Sequence, residues 1–244
     1  MTRKLITLCG LALLLAAATG CQKLQARDNL SKGIKAFKEQ KYERAAELFS
    51  NASKLDPDLT NADLYLATAY AQQAQFLDPG ISTDDSKKFA MNAIETFEKV
   101  LQKDPKNASA VAGLAGLYQG LKNFDKSREY YKKQTEMEPT NAVPYYAIAS
   151  TDWIVIRDKT HPLTDEEKAQ AAEEGLQYVD KALERNPQYQ EAMTYKNLLL
   201  REKAALTKDP AQAKALVEEA NVWFQKALDQ LKANSEKKAA PTTP

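Results

Sequence analysis

Catalysis needs nucleophiles, proton carriers or metal ligands at fixed spacing, and this chain of 244 residues holds few of them. It has one histidine, His161, in the run Thr160-His161-Pro162, and two cysteines, Cys9 and Cys21. A lone histidine with no Cys or second His spaced around it offers no zinc site. Acidic pairs are frequent: Asp84-Asp85, Glu166-Glu167, Glu173-Glu174 and Glu218-Glu219. Each falls where a helix start or a solvated helix face favours carboxylates, so they read as structural. No Gly-rich phosphate loop, Gly-x-Ser-x-Gly elbow or His-Glu-x-x-His run is present. Asn29, Asn51 and Asn107 lie in Asn-x-Ser runs and read as chance matches. No residue is assigned to catalysis, a cofactor or a metal, and the reading is of a protein that is not an enzyme.

What remains are aromatic and small residues at helical spacing, so the elements that position them matter most. Charged residues make up 27% of the chain, yet the net charge is only +1, which gives no bias toward nucleic acid. Glycine is scarce, and Ala, Leu, Lys, Glu and Gln dominate, all strong helix formers. No alternating Val/Ile/Thr runs joined by hairpin turns appear. The fold class is all-α.

Residues 1–20 stand apart. Arg3 and Lys4 precede an apolar run over residues 5–18, shorter than the roughly 20 residues of a membrane-spanning helix. The run ends in Ala18-Thr19-Gly20-Cys21, which resembles the lipobox of bacterial lipoprotein signal peptides, with Ala18 in place of the usual Leu. The resemblance implies cleavage before Cys21 and its acylation. It also implies an extracytoplasmic, lipid-anchored protein; Gln22 in place of Asp after the Cys favours the outer membrane in a Gram-negative host. Ordinary cleavage with Cys21 left as a thiol, or an uncleaved anchor, are the alternatives. Residues 21–25 would form a linker. Without the leader the chain has no further cysteine, so no disulfide, and 32 basic residues stand against 33 acidic ones.

The segment 108–139 carries the plainest pattern in the chain. Pro105 and Pro139 lie 34 residues apart. Between them Leu114, Ala115 and Tyr118 share one face of a first helix, and Ser127 and Tyr131 one face of a second, with Asn123-Phe124-Asp125 as the turn. The spacing recurs: Gly33, Ala45, Phe49 and Pro57; Leu66, Ala67, Tyr70, Ala93, Phe97 and Pro105; Tyr145, Ile148, Ala149, Gly175, Val179 and Pro187; and last Ala220, Phe224 and Ala227 on the inner face of a final helix. This resembles the tetratricopeptide repeat, and it implies an α-solenoid of about five helix pairs over residues 26–231. Pro57 to Pro105 and Pro139 to Pro187 each span 48 residues, 14 more than the plain unit. The insertions fall between the two helices of a pair. Shared between both, they would lengthen each helix by about two turns. Thr164 and Glu167 form a capping box at one start, and Asp209-Pro210 is N-cap and first residue of the last helix. Repeats 2, 4 and 5 thus carry extended helices. Residues 232–244 read as a disordered polar tail.

In the tetratricopeptide family the first helices face a concave groove. The resemblance places Leu30, Ile34 and Phe37 there, then Thr68 and Gln72, Gly116 and Gln119, Tyr146, Ser150 and Trp153, and Leu198 and Arg201. Aromatic residues on such a face favour recognition of a protein or peptide segment. The competing reading fills the groove with the extended helices or the tail. The clamp that grips C-terminal carboxylates is absent, because its places hold Leu30, Ile34, Tyr65, Ser109 and Gly113. The expectation is a membrane-anchored adaptor that binds a protein or peptide partner. Alternatives are a component of an envelope assembly machine, similar to outer-membrane assembly lipoproteins or pilotins, or a carbohydrate-binding protein or enzyme.

Overall fold

The structure is a computed structural model that describes residues 2–74, 83–160 and 162–239, with side chains described from residue 20 to residue 236 outside the segments 75–83 and His161. Among the described residues all the regular structure is helical, joined by short turns and loops. The helices are α1 (Thr2–Lys38), α2 (Tyr42–Leu55), α3 (Thr60–Ala74), α4 (Thr83–Lys103), α5 (Ala108–Gly120), α6 (Phe124–Met137), α7 (Ala142–Arg157), α8 (Asp165–Arg185), α9 (Gln190–Leu206) and α10 (Pro210–Ala239). None of the described helices is long and apolar enough to cross a membrane.

Local chemistry sets most of the boundaries. The side chains of Asn107, Asn123 and Asn141 accept from the backbone N–H groups of Ala110, Lys126 and Val143, closing the open starts of α5, α6 and α7. The Thr164–Glu167 capping box forms in both directions: Thr164 Oγ1 accepts from Glu167 N at 3.2 Å, and Thr164 N donates to Glu167 Oε2 at 2.8 Å. Asp209 caps α10 through the N–H of Ala211. At the other end, α2, α4, α6 and α8 all stop two residues before Pro57, Pro105, Pro139 and Pro187. Proline bars its predecessor from the helical region, so the chain must leave the helix there.

The chain divides into two compact units, Met1–Leu121 and Lys122–Pro244, and the division falls inside the plain 34-residue repeat, in the turn after α5. In the first unit α1 packs on α2, α3 on both α2 and α4, and α5 on α3 and α4. Its core holds Ala36, Ala45, Leu48, Phe49, Leu66 and Ala69, with Leu30, Ile34, Phe37 and Tyr70 half-buried against them. In the second unit α6 packs on α7, α7 on α8 and α9, α8 on α9, and α9 on α10. Its core gathers Tyr145, Ala149, Leu176, Val179, Ala182, Leu199 and Ala220. Small residues let the helices approach closely. A Cβ on Gly113 of α5 would lie 2.5 Å from the ring of Phe97 on α4.

Three expectations are corrected. The insertion between α7 and α8 does not lengthen both of those helices by two turns. The second helices α4 and α8 run 21 residues against 14 for α6, whereas α7 runs 16 against 13 for α5; α3 is described as far as Ala74. After α7 the cause is local: Asp158 ends the helix, its carboxylate accepting from Thr160 N, and the chain spends the surplus in a loop before the Thr164 cap. The matching segment after α3, residues 75–82, lies outside the described residues. Secondly, α10 continues to Ala239, eight residues into the segment expected to be a disordered tail. Lys, Ala and Glu make up six of those eight residues and favour helix without any apolar face to bury. Thirdly, Phe224 is not an inner residue. Ala220 and Ala227 are buried, but Phe224 is 49% exposed, and Leu216 and Trp223 pack inward beside the two alanines.

Candidate functional site

The residues expected to line one groove fall into the two units. In the first, Thr68 and Gln72 lie on α3 and Gly116 and Gln119 on α5, two helices in contact. Gly116 and Gln72 are exposed, and Thr68 and Gln119 are half-buried. Thr68 turns its hydroxyl back to the carbonyl of Leu64 at 2.8 Å. A Cβ on Gly116 would meet nothing within 4 Å, so that part of the face is open.

The second unit holds the denser constellation. Tyr146, Ser150 and Trp153 share one face of α7, and α9 crosses it. Ser150 is buried and gives its hydroxyl proton to Ala147 O, so it forms floor rather than recognition surface. Tyr146 and Trp153 are half-buried, and two rings that the spacing along α7 does not reveal complete the set. Tyr146 lies 5.1 Å from Tyr189 and 5.4 Å from Tyr195, and Trp153 lies 5.7 Å from Tyr195, ring centre to ring centre. The two pairs on Tyr195 are edge-to-face, a geometry that adds about 0.5–1.5 kcal/mol per pair beyond burial. Burial, with the neighbouring tyrosines and Glu191, pushes the Tyr146 hydroxyl well above its ordinary value, so it stays a neutral donor. Trp153 Nε1 is buried and meets no acceptor among the described residues. Leu198 is half-buried. Arg201, though exposed, is tied down, donating to Asn197 Oδ1 at 2.9 Å and to Asn221 Oδ1 of α10 at 2.7 Å.

Two carboxylates with almost no exposure are absent from the residues that the sequence singled out. Asp63 of α3 accepts from Ser53 at 2.6 Å, Lys99 at 2.8 Å and Lys103 at 2.9 Å. Burial pushes its carboxyl up, and these three donors together overcome burial and hold it below the usual range. The other is Asp152 of α7, which has Arg128 beside it. Their signal was present in the spacing: Asp152 stands where Tyr70 and Tyr118 stand in other repeats, and Asp63 where Val111 and Tyr145 stand. Beside α4 and α5, an open groove of about 850 Å³ is lined by Lys87, Met91, Ile94, Glu98, Tyr118 and Leu121. Among the described residues no three His, Cys, Asp or Glu side chains come together as a metal site. His161 lies outside the described residues.

Residues 91–150 match the family model of the tetratricopeptide repeat. No curated protein matches the chain. Among solved structures, that of a MamA protein is similar at 16% identity and a TM-score of 0.59, covering 90% of this chain and 98% of its own. MamA from Desulfovibrio magneticus RS-1, from its residue 41 onward, is similar at 13% identity and a TM-score of 0.61, covering 86% and 96%. YrrB, described as a tetratricopeptide-repeat protein with an unusual peptide-binding site, is similar at 15% identity and a TM-score of 0.54, covering 86% and 90%. At these identities the likeness shows the fold: an all-α solenoid of tetratricopeptide-type helix pairs.

Proposed function

We propose that this chain is a membrane-tethered adaptor that holds a protein or peptide segment on the aromatic first-helix face of its second unit. The observation that carries the reading is the set Tyr146, Trp153, Tyr189 and Tyr195. Four half-buried rings, contributed by α7, by α9 and by the turn between α8 and α9, offer large rigid contact area at low entropic cost. The hydroxyls stay neutral, so the surface suits the backbone and apolar side chains of a peptide better than a charged ligand. The description of YrrB as peptide-binding agrees with this use of the fold. Cys21 is exposed, and the lipobox-like run before it supports a lipid tether at the outer face of a bacterial cytoplasmic membrane or on an outer membrane. Two acyl chains would anchor the chain stably where one would bind only marginally. The tether and the face together describe an adaptor that acts by non-covalent assembly.

Photocrosslinking tests this in intact cells. A photoreactive side chain at Tyr189 should trap one dominant protein, identified by mass spectrometry, and the same probe at Glu184 on α8 should not. Equal products from both positions would overturn the reading.

A further inference from the structure

In three earlier repeats the second helix carries a large side chain that the next first helix covers. Phe49 of α2 is fully buried and stacks on Tyr65 of α3 at 5.4 Å. Phe97 of α4 is 3% exposed against Gly113 of α5, and Val179 of α8 is buried in the core that α9 completes. Phe224 holds the same register on α10, and no described helix follows to cover it. Val217, Leu228 and Leu231 are exposed with it. At 100° per residue these four side chains fall within one narrow stripe, about four turns long. It lies roughly a quarter-turn from the inner face that carries Ala220, Trp223 and Ala227.

We propose that this stripe pairs with the same stripe of a second copy, two α10 helices lying antiparallel across a two-fold axis near Phe224. Three of its four residues are self-complementary about that point, and Leu228 falls opposite the second copy's position 220. Antiparallel pairing sets Val217 opposite the second copy's Leu231, and Phe224 opposite its own counterpart. The flanking edge is self-complementary too. Glu218, Gln225 and Lys232 run along it, so Glu218 meets the second copy's Lys232, Gln225 meets Gln225, and Lys232 meets Glu218. A two-fold contact requires one surface to satisfy itself in this way. A contact of four helical turns falls at the small end of specific interfaces, so the dimer is reversible and is favoured by confinement of the chains to a membrane surface.

Disulfide trapping in the full chain tests it. With Cys9→Ser and Cys21→Ser in place, Phe224→Cys should oxidise to a dimer, and Val222→Cys, exposed on another face, should not. Adding Glu218→Lys to the Phe224→Cys chain should cut dimer yield by about fivefold, and Lys232→Glu on top should restore it. Circular dichroism confirms that each variant stays helical. Equal trapping at positions 222 and 224, or no recovery in the double charge variant, overturns the proposal. A heavier adduct with a different protein in place of the dimer would also overturn it and assign the stripe to that partner.

Discussion

The Arg128 guanidinium of α6 lies 2.8 Å from Oδ1 of Asp152, a carboxylate with no solvent exposure on α7, yet it does not align with it as a hydrogen bond. Arg128 also pairs with Glu174 of α8, so one cation serves two acids. Burial pushes the Asp152 carboxyl up, Arg128 pulls it back, and Glu174 raises it again, to about 7. Lys132 is the other charge that bears on it.

That value has a signed consequence. An unfolded aspartate titrates at about 3.9. Between there and about 7 the folded chain keeps a proton that the unfolded chain has lost. The stability this group contributes is therefore present in acid and lost as pH rises toward neutrality. Asp152→Asn cannot ionise and removes the fall. Denaturant titrations at pH 5 and 7.5 should show the wild type losing stability relative to the variant, by at most about 1.4 kcal/mol per pH unit. Identical pH dependence would contradict the burial of an uncompensated carboxyl.

The glycines give opposite outcomes on one helix. Gly113→Ala must push a Cβ into the Phe97 ring, which is itself buried and cannot swing away. It should cost about 1–3 kcal/mol in thermal or denaturant melts. Gly116→Ala meets open space and should stabilise by about 0.5–1 kcal/mol, since Ala loses less backbone entropy in a helix. Similar effects at both positions would refute the α4–α5 packing.

Legibility in the sequence depended on whether a feature is set locally. The register was readable wherever small and large residues alternate by local rule: Ala45 with Phe49, Ala93 with Phe97, each fully or nearly buried as its spacing required. Stops were readable from prolines, and starts from Thr164 and Asp209. Asp63 and Asp152 stand at core positions of the repeat spacing, but that an acid could be buried there was not readable, because the cations beside them, Lys99 and Arg128, lie 36 and 24 positions away. Tyr189 and Tyr195 joined Tyr146 only because α9 crosses α7, a relation that periodicity along one helix does not carry. Phe224 obeys the repeat's spacing and still lies open, since spacing names the face and not what covers it. The candidate site was therefore half readable: its α7 half from the sequence, its α9 half from the packing.

Lipidation at Cys21 has its own test. Cells fed an alkyne fatty acid should label the wild type and leave Cys21→Ala unlabelled, with the variant recovered in soluble or unprocessed form. Undiminished labelling of the variant would remove the tether from the account.

The central claim is that the Tyr146 face binds rather than merely packs, and the structure shows that it also packs, since Tyr146 and Trp153 rest on the core. Stability alone cannot separate the two roles, so the decisive measurement is affinity at matched stability. Tyr146→Ala should be compared with Ile148→Ala, which empties a fully buried core site on the same helix and should cost about 2–5 kcal/mol of stability. The affinity of both for the protein trapped at Tyr189 is then measured by calorimetry, well below either melting temperature. The account predicts that Tyr146→Ala loses about 2 kcal/mol of binding or more, and that Ile148→Ala binds like the wild type. Unchanged affinity for Tyr146→Ala would contradict it.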